Sequence, residues 1–387
     1  MAPPWNTSAN CLYSIPGRAF PPLHSRPPRP FGSKGIMKQS LSRCLWTISA
    51  TLALGAAARA QVEVGSEPAS PPPPAPPAAA APAAAPGPDQ PRVDAAADKA
   101  AKPEELVLAT TDGLDLHAWH YPAKVAKNES PQATVILLHD LEGSHRSVEP
   151  LAMALQAAGC EVVAPDLRGH GASTTRAGGD VDLRLLKKAD CELMAAARGG
   201  QIRDQSAIRG DVETVRNWIK RKAEDGALDM NRLFVVGSGF GAAIAAAWTA
   251  EDANWPPGTK GDQGRQVRGL VLVSPTWTTR GFSLSGPLAN EAVRAQIPVM
   301  VLAGRSERDA TKVFDQLKRN RPTAWFLQRA DRTTDKATKL DDPAQASLFS
   351  FEFDSTRTAD ALASDRTLNP AAVIVKFFGM ALARPKR

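Results

Sequence analysis

The stretch NRLFVVGSGFGAAIAAAW, residues 231–248, decides the fold. Its LFVV run is apolar without alternation, as a strand covered on both faces requires. A glycine-rich turn follows, and AAIAAAW continues as a helix. Strand, tight turn, helix is the unit of a parallel sheet, and the same unit recurs on either side. Upstream, ATVILLHD (133–140) reads as a buried strand, SVEPLAMALQAAG (147–159) as an amphipathic helix ending at Gly159, and CEVVAPDL (160–167) as the next strand. Before them, ELVLATTDGLDLHAWHYPA (105–123) alternates polar and apolar residues around Asp112-Gly113, the pattern of two antiparallel strands. GDVETVRNWIKRKAE (210–224) reads as a helix. Downstream, QVRGLVLVSPT (266–276), IPVMVLAGRSER (297–308) and TAWFLQRA (323–330) supply strands, and LNPAAVIVKFFGMAL (368–382) a closing helix. The expected class is α/β: a mostly parallel sheet flanked by helices on both faces, within residues 104–387.

The chain has 387 residues and a net charge of +7, which by itself suggests a nucleic-acid partner. The position of the charge excludes that reading. Residues 1–60 contain seven Lys and Arg and no acidic residue, so the remaining 40 basic residues face all 40 acidic ones. The excess belongs to the front end. Within it, MKQSLSRCLWTISATLALGAAARAQ begins at Met37 with Lys38 and Arg43, continues through an apolar stretch to Ala58, and ends in Ala58-Arg59-Ala60. A basic start, an apolar middle and a small-x-small end describe a secretory signal peptide over 37–60, cut before Gln61. The apolar stretch is shorter than the roughly 20 residues that span a bilayer, so no transmembrane span is expected once the leader is removed. Residues 1–36 read as a disordered Pro/Arg-rich arm or as sequence upstream of a true start at Met37. Residues 61–103 are a disordered spacer, with twelve of the 33 prolines between 66 and 103. The expected location is therefore the periplasm, the medium or the cell envelope. Cys160 and Cys191 remain after cleavage, and their pairing is not legible from spacing.

Three segments carry a resemblance: PDLRGHGAS (165–173), LLHD followed by Gly143, and the turn around Gly239. In this order and spacing they resemble the α/β-hydrolase superfamily, near its serine-aminopeptidase and monoacylglycerol-lipase-like members, over essentially all of 104–387. The resemblance implies a nucleophilic serine at the centre of a G-x-S-x-G turn, whose flanking positions must be small. The matching pentad here is Gly237-Ser238-Gly239-Phe240-Gly241, and its centre is Gly239, which has no side chain. With Ser238 as nucleophile, Val236 and Phe240 would occupy the crowded positions, and both are too large. The family's base is a histidine after the last strand. The domain over 104–387 has five histidines, His117, His120, His139, His145 and His170, and none lies beyond 170. The resemblance places the acid in Gly304-Arg305-Ser306-Glu307, with Asp309 two residues on; without an imidazole a carboxylate has no triad role and reads as a solvated loop charge. It also places the oxyanion region at His139, Asp140, Leu141 and Phe240, where Asp140 replaces the usual glycine. A carboxylate facing that region opposes the charge that develops there.

The expected function is thus an exported protein that keeps the scaffold without serine-hydrolase chemistry and acts by binding or scaffolding, with an unknown small molecule or an envelope partner. The alternative is a hydrolase of acyl or carboxyl esters, lipids or peptides with a displaced nucleophile such as Ser238. No cofactor is expected. Nor is a metal: His139, Asp140, Glu142 and His145 are near one another in sequence but lack ligand spacing. The excursion over 172–209, with Arg184, Lys187, Lys188, Arg198 and Arg203, is a candidate lid or contact surface.

Overall fold

The computed structural model describes residues 101–124, 130–197, 210–255, 264–329 and 345–385. The arm over 1–36 and the leader over 37–60 lie outside these residues, as do all but the last three residues of the spacer and the Arg198 and Arg203 of the excursion.

Two strands open the domain, β1 (Glu104–Ala109) and β2 (Asp115–Tyr121), paired antiparallel across the Asp112-Gly113 turn. β3 (Thr134–Leu138), α1 (His145–Ala157), β4 (Glu161–Pro165), α2 (Lys188–Met194), α3 (Asp211–Glu224), β5 (Leu233–Ser238), α4 (Phe240–Ala253) and β6 (Val267–Val273) follow. Then come the short hairpin β7 (Thr278–Thr279) and β8 (Phe282–Ser283), α5 (Ser285–Ala289), β9 (Val299–Ala303), α6 (Arg308–Arg319), β10 (Trp325–Arg329), β11 (Leu348–Glu352), α7 (Ala359–Ala363) and α8 (Pro370–Leu382). Nine of these strands form one sheet in the order β1-β2-β4-β3-β5-β6-β9-β11-β10. All pairings from β4 to β10 are parallel, and β2 runs against both of its neighbours.

Every residue of β3, β4, β5 and β9 is buried, because both faces of these strands are covered. Successive side chains alternate between two cores. On one face Ile136, Leu138, Val235, Leu270 and Val301 meet α3, α4 and α6 through Val215, Ile244 and Phe314. On the other, Val135, Leu137, Phe234, Val236 and Leu302 meet α1, α7 and α8 through Leu151, Leu362 and Phe377. The strand order that follows β9 was not legible: β11 sits beside β9 and β10 takes the edge, although β10 comes first in the chain. β11 itself, LFSFE, was also not read as a strand.

The PDLRGHGAS loop is held by buried charge. Arg168, 1% exposed, spans Asp211 at the start of α3 and Asp112 in the first hairpin turn. Asp166 accepts from the N–H and ring Nδ1 of His145 and from the N–H of Ala172. Burial alone would raise its pKa, but those donors hold it below the usual carboxylate range. His145, flanked by Trp119, is thereby a structural group. Cys160 and Cys191 are both free and buried, and burial pushes their thiols up to about 12 and about 11. Among the described residues no helix is long and apolar enough to cross a membrane.

Candidate functional site

The carboxyl ends of the parallel strands bring the sequence-predicted residues together, as expected for an open α/β sheet. β5 ends at Ser238, and Gly239 turns the chain into α4 with φ 54° and ψ −115°. A side chain is strained in that conformation. On either side, a Cβ on Gly237 would overlap the carbonyl of Gly241, and one on Gly241 would overlap that of His139. The small residues that the pentad supplies are therefore required by close backbone approach. Larger groups at 236 and 240 are accommodated because they point into the two cores.

Asp140, after β3, faces inward. Its Oδ1 accepts the N–H of Phe240 at 2.6 Å, and the N–H of Leu141 also reaches this carboxylate. These are the two donors assigned to the oxyanion region from sequence, and the protein's own carboxylate occupies them. Phe240 opens a helix of 14 residues, whose amino end favours a negative group. Burial raises the pKa of Asp140; the two N–H groups oppose the shift, and the charge of Asp360 adds to it. A Cβ on Gly239 would lie 2.6 Å from Oδ2 of Asp140 and closer still to Oδ1. The carboxylate thus fills the space into which a side chain at 239 would project.

Asp360, after β11, was not singled out by sequence reasoning. It accepts the N–H of Asp140 at 3.0 and 3.1 Å and the hydroxyl of Ser147 at 2.5 Å. No motif marks it: it lies in the first turn of α7, in the segment after the last strand where the resemblance calls for histidine. Ser238 is fully buried, and its Oγ has no hydrogen-bond partner among the described residues. Glu307 is not the simple solvated charge expected: it is half-buried, and its Oε1 accepts the N–H of Gly304 at 2.5 Å and the hydroxyl of Ser274 at 2.9 Å. Burial raises its pKa against those two donors. It is bonded to the end of β6 rather than to the Gly239 turn. Asp309 is exposed as expected, though its Oδ2 accepts the N–H of Trp277.

Among the described residues, no histidine hydrogen-bonds to Ser238, Glu307 or Asp309. His139 lies next to Asp140, but both of its nitrogens are engaged. Nε2 accepts the N–H of Leu167 at 3.0 Å, so the proton is on Nδ1, which donates to the carbonyl of Asp140 at 2.7 Å. His170 packs beside it at 5.0 Å between ring centres; burial and the His139 ring push it down to about 4. His117 and His120 lie on β2 against Glu105 and Glu161. Among the described residues no group of three or more His, Cys, Asp and Glu side chains is placed to hold a metal.

Comparison with known proteins bears on the fold. The model of the family "serine aminopeptidase, S33" matches residues 129–282, which run from the approach to β3, through the Gly239 turn, to β8. The chain is an α/β-hydrolase-fold protein. Similar solved structures include a putative dienelactone hydrolase from Klebsiella pneumoniae, 17% identical, covering 73% of this chain and 99% of the other at a TM-score of 0.44. A monoglyceride lipase from Saccharomyces cerevisiae is 10% identical over 72% and 94%, with a TM-score of 0.44. An esterase from Thermogutta terrifontis is 15% identical over 72% and 93%, with a TM-score of 0.45. No curated protein matches the sequence.

Proposed function

We propose that this is an exported α/β-hydrolase-fold protein that does not carry out serine-hydrolase chemistry and acts by binding or scaffolding, with a small molecule or an envelope partner. One observation carries the reading: the Asp140 carboxylate sits on the N–H of Phe240, over a glycine at the nucleophile position. An oxyanion hole accelerates acyl transfer because its donors are free to receive charge as it develops. Donors already bonded to a fixed carboxylate do not stabilise a second negative oxygen, and Gly239 supplies nothing to attack with. Ser238, buried and with no hydrogen-bond partner among the described residues, does not replace it. Export rests on the leader from Met37 to Ala60 and on the balanced charge of the rest of the chain.

Short p-nitrophenyl esters test the chemistry. Hydrolysis with the purified protein should equal the rate with a Ser238→Ala variant and the rate without protein. Saturable turnover that disappears in Ser238→Ala establishes the displaced-nucleophile hydrolase instead. For export, the amino terminus of the protein recovered from cells should be Gln61.

A further inference from the structure

We propose a second binding site, for an amphipathic organic anion, at the opposite end of the sheet from Gly239. The site is a cavity of about 560 Å³ beside the amino ends of β6 and β9. Its size lies within the range of small-molecule sites. It does not depend on the reading of the Gly239 turn.

Arg268 is the cavity's key side chain. In the β5–β6 pairing Leu233 faces Val267 and Phe234 faces Gly269, so Arg268 is the extra residue of a β-bulge. Bulges re-aim a side chain, and this one belongs to a residue that lines the cavity. One Arg268 N–H donates to the carbonyl of Arg384 at 2.7 Å, while its Nε is buried with no hydrogen-bond partner among the described residues. Burial lowers the pKa of Arg268, and among the described residues no carboxylate offsets that shift. Arg268 is half-buried overall, but a buried guanidinium N–H with no acceptor is costly until an anion completes it.

The rest of the lining fits the same ligand. Arg265 and Arg384 add positive charge to the wall. Asp252 also contributes to it, but its Oδ2 is taken by the N–H groups of Gln266 and Val267. Glu291 and Arg265 are both exposed, so their opposite charges are both partly screened and offset one another, leaving Arg268 and Arg384 as the excess. Val267, Ile297 and Ala381 are apolar, so the cavity offers a hydrocarbon wall beside its guanidinium groups. That combination selects a carboxylate or phosphate carrying an alkyl or aryl body over either an inorganic anion or a neutral lipid.

Titration calorimetry of the full chain with decanoate, decyl phosphate and decanol tests this. At least one of the two anions should bind ten times more tightly than decanol, and which one does so separates a carboxylate site from a phosphate site. Arg268→Gln should abolish that preference, with decanol unchanged. Glu291→Lys, a change at an exposed position, should tighten anion binding at least threefold and decides the matter if Arg268→Gln fails to fold. Anions binding no better than decanol, or an anion affinity indifferent to both substitutions, overturns the proposal.

Discussion

Replacing Gly239 by alanine tests the packing at the strand-to-helix turn, because the structure gives the methyl group two separate costs. The first is conformational: a non-glycine residue at φ 54° and ψ −115° is strained by about 1–3 kcal/mol. The second is displacement. The new Cβ would lie 2.6 Å from Oδ2 of Asp140 and closer still to Oδ1, so the carboxylate must leave the N–H of Phe240. Losing a hydrogen bond to a charged group costs about 1.5–3 kcal/mol, reduced here because Asp140 is only half-buried and water partly replaces the donor. Together the substitution should destabilise the protein by about 2–5 kcal/mol. In an Asp140→Gly background only the conformational cost remains, so the two substitutions should couple by about 1–2 kcal/mol. Urea unfolding of the four proteins of this cycle, each first checked by circular dichroism, measures the coupling directly. Additivity to within about 0.5 kcal/mol would refute the placement of Asp140 over Gly239.

Arg168→Met leaves Asp211 charged, buried and unpaired, and should cost about 3–5 kcal/mol in urea unfolding; substituting Asp211 by leucine as well should restore much of it. Equal instability of the single and double variants would show that packing rather than charge is at stake. His170 titrates at about 4 in the fold against an ordinary 6.5, so the folded state favours the neutral ring. Its contribution is complete above pH 6.5 and lost as the pH falls towards 4. That loss is at most about 3 kcal/mol, and unfolding of His170→Gln at pH 7 and pH 5 should show a flatter acid limb than the parent. An identical limb would mean that other groups set it. Ser238→Ala removes a buried hydroxyl with no partner among the described residues and should leave stability unchanged or raise it by about 1 kcal/mol. A Tm that falls by several degrees would show that the hydroxyl is bonded after all.

What the sequence disclosed and what it withheld follow from the range of the interactions involved. The Gly239 turn, the hairpin at Asp112-Gly113 and the fully buried strands β3, β4 and β5 were legible because local chain geometry and burial on both faces leave period and glycine signatures. β11 escaped because its five residues end in a glutamate and sit among small polar residues, and its place inside β10 is a long-range choice with no local sign. At the site, the missing side chain at 239 and the absence of a histidine after residue 170 could be read directly. The direction of Asp140 could not. An aspartate at that position serves equally well pointing to solvent, and only the converging ends of β3, β5 and β11 turn it onto the N–H of Phe240 with Asp360 behind it. Glu307 shows the same limit: its bond to Ser274 joins residues far apart in sequence.

The central claim is that the turn at Gly239 holds no nucleophile and that its donors are already occupied. Intact-mass analysis after incubation with a fluorophosphonate probe tests it most directly, on the protein as it stands and on Asp140→Gly, in which the donors are released. Both proteins should keep an unmodified mass, since freeing the hole does not create a nucleophile. One adduct per chain, mapped to Ser238 or to any residue of this crevice, would contradict it.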